Sequence, residues 1–306
     1  MYIAALRPKE GELRALEKLS DFNLRENSFL PMFIIGDLSS DILNAINRKY
    51  PFEALLDIRE LDADDIETLE ELISDNPDYN QNYSIVYPIE TLLYASEDTS
   101  HIEYVRIPKS SINGFFIQWL NSNSSLLPNN VIIDFEEIDD KVSESLISSV
   151  INILNKIGDR NIVILSGAVP QSLPVKSTQN YTLPRYEKML FQNLQSKVQS
   201  ELIYADYCTV CPNPLVTDGP IIPIVQIKYT LTDDYWFVRN GQRRGNYDFV
   251  AVCKEIANGV PGFNPNYCWG NNYIDFVITE GKNKGNPSVW VSIGVNQHIH
   301  LCVDEN

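Results

Sequence analysis

A chain of 306 residues, 44% of them hydrophobic and 21% charged, can bury a large core and is too apolar to be disordered. No stretch reaches the roughly 18 consecutive apolar residues of a membrane span. The net charge of −17 sits almost wholly in the first half, with 29 acidic and 13 basic residues through Arg160 and 12 and 11 after it. That distribution argues against nucleic acid as a partner, because it repels phosphate backbones.

Arg7 and Lys9 follow the first apolar run rather than preceding it, so no signal peptide is expected. The five cysteines, Cys208, Cys211, Cys253, Cys268 and Cys302, are an odd number in a core-rich chain. They predict reduced, metal-free thiols and a cytoplasmic location.

Compact apolar runs predict strands at Tyr2–Leu6, Met32–Asp37, Phe52–Ile58, Tyr83–Tyr87, Val131–Phe135 and Asn161–Ser166. Helices fall between them. Leu13, Leu16 and Leu19 share one face, and Ile66, Leu69, Leu72 and Ile73 another, with Asp62 or Asp64 as N-cap. Val142 to Ile157 and Tyr186 to Leu202 also follow helical spacing. Alternating β and α units imply parallel strands with right-handed crossovers. Further segments at Tyr104–Ile107 or Gly114–Trp119, and at Ile203–Thr209, bring the count near the eight of a closed barrel.

The pattern changes after Pro212. Val225, Ile227, Tyr229 and Leu231 alternate with polar residues, as in a half-buried antiparallel strand. Tyr235–Arg239 and the Asn240-Gly241 turn signal suggest a hairpin. A short helix at Asp248–Ala257 and strands at Tyr273–Thr279 and Val289–Val295 complete the reading. The expected fold is α/β: a (β/α) barrel-like parallel core over residues 1–212, with an antiparallel α+β elaboration over 213–306.

Acids recur at predicted strand ends: Asp37, Asp57, Glu90, Asp134 with Glu136, and Asp206. In a barrel these ends gather at one mouth, where carboxylates can share acid–base work or hold a cation. A chain this acidic also places acids in many loops and caps. Cys208-x-x-Cys211 lacks the second pair of a zinc site and, followed by Pro212, the helix of a redox site. His298 and His300, placed on a strand, would share one face and suit a metal or a proton relay. Arg239, Arg243 and Arg244 around the turn could grip a phosphate or carboxylate, or pair with the chain's own acids. Asp64, Asp65, Glu67, Glu70, Glu71 and Asp75 crowd one helix and suit a basic partner, or solubility alone. No cofactor and no metal are expected.

Several strings carry a family likeness. They are Ala205-Asp206-Tyr207-Cys208, Ile227-Lys228-Tyr229-Thr230, Tyr235 through Gly241, Cys268-Trp269-Gly270, Trp290 to Gly294, and Asn296, His298 and His300, together with Lys9-Glu10-Gly11-Glu12 ahead of Ala15 and Leu16. Together these resemble the Beta-protein family of bacterial and phage-satellite defence loci. Cys208 departs from a common glycine, and Phe33-Ile34-Ile35-Gly36-Asp37 from a common Pro and Glu. The resemblance implies a phage-defence component that restrains a toxic partner protein encoded in the same locus, and it implies no established enzyme activity. Two alternatives stand beside it: a metal-dependent hydrolase or phosphodiesterase with its site at the acidic mouth, and a sensor of a phage component or nucleotide.

Overall fold

A computed structural model describes the chain except residues 23, 25–27, 40, 96–97, 214–221 and 244–246. Eight parallel strands close a barrel: β1 (Tyr2–Leu6), β2 (Phe29–Ile34), β3 (Ala54–Asp57), β4 (Tyr83–Pro88), β5 (Tyr104–Pro108), β6 (Asn130–Glu137), β7 (Asn161–Gly167) and β9 (Leu202–Asp206). Closure comes from β9, which pairs with both β7 and β1. Inside lie Ile3, Ala5, Met32, Ile34, Leu55, Val86, Ile132, Val163, Leu165 and Ala205. The alternate residues of the same strands face the surrounding helices. Strands buried on both faces read as unbroken apolar runs, which is why they were legible. Among the described residues no helix is long and apolar enough to cross a membrane.

The ring of helices includes α1 (Glu10–Glu17), α2 (Ile42–Lys49), α3 (Ala63–Asp75), α6 (Gly114–Asn123), α7 (Glu144–Ile157) and α8 (Tyr186–Gln195), with shorter α4 (Pro77–Asn82) and α5 (Glu90–Leu93). Asp62 caps α3 by accepting from the Asp65 N–H at 2.9 Å. Leu72, expected on the core face of α3, is instead 43% exposed; only Leu69 and Ile73 of that helix are buried. Gly114–Trp119, the alternative strand reading, is the start of α6; Tyr104–Pro108 is the strand.

The second part is a three-stranded antiparallel sheet, β10 (Ile224–Thr230), β11 (Asp234–Gln242) and β8 (Tyr181–Pro184), the last borrowed from the barrel half of the chain. One face packs on Ala168 and Val169 through Leu183, Tyr235 and Phe237. The other is covered by α9 (Phe249–Gly259), α10 (Trp269–Glu280) and α11 (Pro287–Glu305). The β10–β11 turn spans Leu231–Asp234, closed by the Leu231 N–H on the Asp234 carbonyl at 2.7 Å. Asn240-Gly241 is therefore not the hairpin turn; it lies inside β11, where Gly241 takes a positive φ of 74°.

Two expected strands are helices. Tyr273–Thr279 belongs to α10 and Val289–Val295 to α11. The alternation Val289, Val291, Ile293, Val295 imitates a strand because α11 is buried on nearly every side and has no polar face to reveal its period. Asn286 and Pro287, an N-cap and first-turn proline, were the helix signal.

α11 fills the place of the eighth barrel helix, packing on α1 and β1, and it also caps the free edge of β10. Gln297 accepts from the Thr230 N–H and donates to the Thr230 carbonyl, both at 2.9 Å. A Cβ on Gly294 would meet the Lys228 carbonyl oxygen at 2.5 Å, whereas one on Gly114 would meet nothing within 4 Å. Gly294→Ala is expected to destabilise the fold by about 1–3 kcal/mol in urea unfolding, and Gly114→Ala to be neutral or slightly stabilising. A neutral Gly294→Ala would refute this close approach.

Candidate functional site

The parity of each strand decides which acids meet. Asp57 follows Leu55 by two residues and Asp134 follows Ile132 by two, so both point into the barrel at its carboxyl end. Asp206 follows Ala205 by one and points out. The three expected mouth acids therefore split between two sites.

At the mouth, Arg59 and Arg106 fill the space between Asp57 and Asp134. Arg59 donates to Asp57 through Nε at 2.8 Å and Nη2 at 2.5 Å, and to the Tyr207 hydroxyl through Nη1 at 2.8 Å. Its Nη1 also lies 3.0 Å from Asp134. Asp134 Oδ2 accepts from Arg106 Nε at 2.7 Å and from the Tyr207 hydroxyl at 2.6 Å. Each acid's other oxygen accepts a backbone N–H two residues on, from Arg59 at 3.0 Å and Glu136 at 2.6 Å. Burial works against charge on both arginines, and the neighbouring carboxylates override it and keep them protonated. Burial and Asp134 hold the Tyr207 hydroxyl well above its usual range, so it remains a donor. Glu136, at a positive φ of 55°, is half-buried and takes a weaker 3.3 Å bond from Arg106. Beside this mouth lies a cavity of about 660 Å³, with Phe135, Leu146, Leu183 and Tyr186 among its walls and Lys109 and Glu137 among its polar groups.

Asp206 lies between the barrel and α11, fully buried. It accepts from the hydroxyls of Tyr2 at 2.5 Å and Tyr204 at 2.8 Å and from the Cys208 N–H at 2.8 Å. His298 Nε2 is 2.9 Å from its Oδ2, and Nδ1 is 2.9 Å from the Thr230 hydroxyl. Burial opposes ionisation of Asp206, but His298, Tyr2 and Arg185 outweigh it and hold the carboxyl below its ordinary range. Cys302 Sγ stands 3.3 Å from the same Nε2 and 3.1 Å from Arg185 Nη2. A Cys–His–Asp relay needs thiol and acid on opposite ring nitrogens. Here both meet Nε2, so the arrangement is no proton relay.

The remaining candidates scatter. On a helix, residues two apart point in different directions; His300 accordingly turns away from His298, to the rings of Phe22 and Tyr267. Burial drives the His300 imidazole down to about 4. Arg239 is buried and donates to the carbonyls of Val175 and Lys176, while Arg243 stacks on Tyr247. Arg244 lies outside the described residues. Cys208 is buried near Tyr2, and Cys211 contacts Glu137. Asp37 is exposed in a loop, and Glu90 accepts from Ser111 at 2.7 Å. On α3, Asp64, Glu67, Glu71 and Asp75 are exposed, Asp65 is half-buried, and Glu70 accepts from the Tyr87 hydroxyl at 2.6 Å.

Sequence reasoning missed Arg59, Arg106, Tyr207, Tyr2, Arg185 and Thr230. Arg106 had a signal, a lone cation inside the apolar run Tyr104–Pro108, where a charge needs a buried partner. Thr230 and Tyr2 had none, because hydroxyls are common on strands.

The matched residues decide the family. The sequence model described as Beta protein matches residues 118–304, more than half of the chain. The chain belongs to the Beta protein family. The family match contains Asp134, Tyr207, Asp206 and His298, whereas Asp57, Arg59 and Arg106 precede it. No curated protein matches the sequence. Among solved structures, the chain is similar to N-acetylneuraminic acid (sialic acid) synthetase from Leptospira borgpetersenii serovar Hardjo-bovis, crystallised with citrate. The TM-score is 0.33 at 16% identity, over 67% of this chain and 64% of that one.

Asp134→Asn would leave the buried Arg106 and the half-buried Arg59 short of a counter-charge. It is expected to lower stability by about 3–5 kcal/mol in urea unfolding, the usual cost of breaking a buried pair. An unchanged midpoint would show that the mouth is not held by this pair.

Glu12, buried at the start of α1, has its carboxyl pushed by burial up to about 7, against weaker opposing pulls from backbone N–H groups and Lys9. Its folded value exceeds its unfolded one. Its contribution to stability is therefore complete below about pH 4.5 and is lost as pH rises through about 7. Glu12→Gln is expected to raise stability at pH 8 by roughly 2–3 kcal/mol and to leave pH 4 nearly unchanged. Equal effects at both pH values would refute the assignment.

Proposed function

We propose that this member of the Beta protein family is a phage-defence component that binds and restrains a partner protein encoded beside it. The observation that supports this most is that the acids of the barrel mouth are paired with the chain's own arginines. The oxygens of Asp57 and Asp134 are taken by Arg59, Arg106, Tyr207 and two backbone N–H groups. Carboxylates paired this closely with arginines are poor bases and poor ligands for a cation, which weighs against the hydrolase alternative. Function then falls to surfaces.

The exposed carboxylates of α3 offer one. Asp64, Glu67, Glu71 and Asp75 form a stripe along one side of Leu72, whose 43% exposure supplies an apolar contact beside an acidic field. Such a face suits a basic partner, with charge steering the encounter and the leucine adding buried area. The sensor reading is kept alive by the cavity of about 660 Å³ beside the mouth rather than by Arg239, which is buried and donates from Nη1 to backbone carbonyls.

The test is co-expression of the neighbouring gene with and without this one, followed by association kinetics. Replacing Asp64, Glu67, Glu71 and Asp75 with lysine is expected to slow association about tenfold or more at low salt. The melting temperature should stay nearly unchanged, because all four are exposed. Wild-type association should slow as salt screens exposed charges over about 8 Å at physiological strength. A neighbour harmless on its own, or the absence of a complex at low salt, would overturn the proposal. A complex unaffected by the four lysines would move the interface off α3.

A further inference from the structure

Three side chains from two distant stretches of chain bring unlike metal-ligating atoms together. His298 and Cys302 sit one helical turn apart on the same side of α11, and Asp206 ends β9. His298 Nε2 lies 2.9 Å from Asp206 Oδ2 and 3.3 Å from Cys302 Sγ, and the sulfur lies 3.9 Å from Oδ2. A triangle with those sides has its centre roughly 2.0 Å from each corner, against typical zinc bond lengths of about 2.0–2.3 Å to oxygen, nitrogen and sulfur. The second carboxylate oxygen is already taken by the Tyr2 hydroxyl and the Cys208 N–H, so the protein supplies three donor atoms, one from each residue.

The surroundings match what holds a metal's ligands in place. The far nitrogen of His298 meets the Thr230 hydroxyl at 2.9 Å, which fixes the ring and leaves Nε2 for an ion. Tyr235 stacks on the ring at 5.7 Å. Arg185 donates to the sulfur at 3.1 Å, as a donor to a thiolate would, and its own charge is met by Glu305 at 2.8 Å and Glu187 at 3.5 Å. Glu187 is fully buried and its Oε2 has no hydrogen-bond partner. A dication between one thiolate and one carboxylate would leave the pair Arg185 and Glu187 neutral beside it.

We infer that Asp206, His298 and Cys302 form a three-donor site for a zinc ion that ties α11 to the barrel. This departs from the metal-free expectation for the cysteines, and it is independent of the partner-binding proposal. Binding expels the Cys302 thiol proton to solvent and leaves a zinc–thiolate bond. The site is fully buried, so the ion must enter as the chain folds.

The test is metal analysis of the full chain, expressed in zinc-supplemented medium and purified without chelator. Close to one zinc per chain is expected in the wild type and in Cys253→Ala, with at least a fivefold loss in Cys302→Ala. Cells grown on cobalt should give protein with a thiolate-to-cobalt absorption band that disappears in Cys302→Ser, a milder change that guards against misfolding of the alanine variant. No zinc in the folded wild type overturns the inference. Full zinc retention in either Cys302 variant overturns it as well, by locating the ion elsewhere.

Discussion

The contact between α11 and the rest of the molecule is the constraint on which the architecture turns. Asn296, Gln297 and His298 are consecutive, so their side chains leave the helix about 100° apart and must serve three different neighbours. Asn296 donates to the Ala15 carbonyl of α1 and accepts from the Gly270 N–H of α10, both at 3.0 Å. Gln297 reads the edge of β10, and His298 reaches Asp206 at the end of β9. A helix buried on nearly every side gains much from its apolar residues but has no solvent-facing stripe to fix its rotation. These three polar groups fix it, because any slip in register would leave several of them buried without partners.

The same logic governs the barrel mouth. The chain is strongly acidic, yet the interior end of the barrel is close to neutral, with two arginines set against two aspartates and a tyrosine bridging them. The excess of acid is left to the surface, where α3 displays it. Charges placed inside are costly unless matched, and a matched set is rigid and chemically quiet. That division separates a structural interior from an exterior available for association.

Much of this was written in the chain. Six β-branched and aromatic runs at βα spacing, with further candidate segments bringing the count near eight, pointed to a parallel barrel, because strands buried on both faces need continuous apolar sequence. The alternation around Val225 to Tyr229 pointed to an antiparallel strand, and Asp62 or Asp64 to a helix start, of which Asp62 is the cap. The same rule misled at Val289–Val295, where a helix without a polar face shows no helical period.

Site composition was legible only in part. Asp57, Asp134, Asp206 and His298 stood out as titratable residues near strand ends or in a likeness to a family. Which of them meet was decided by tertiary structure. A single residue of parity sends Asp206 outward while Asp57 and Asp134 point inward, and parity depends on where each strand ends its pairing, which local sequence does not state. The helical state of α11 then turned His300 away from His298 and brought Cys302 beside it, across 96 residues from Asp206. Periodicity within a segment is a local property and the sequence determined it; the meeting of segments follows from packing a closed barrel against one buried helix, and only the folded chain decides it.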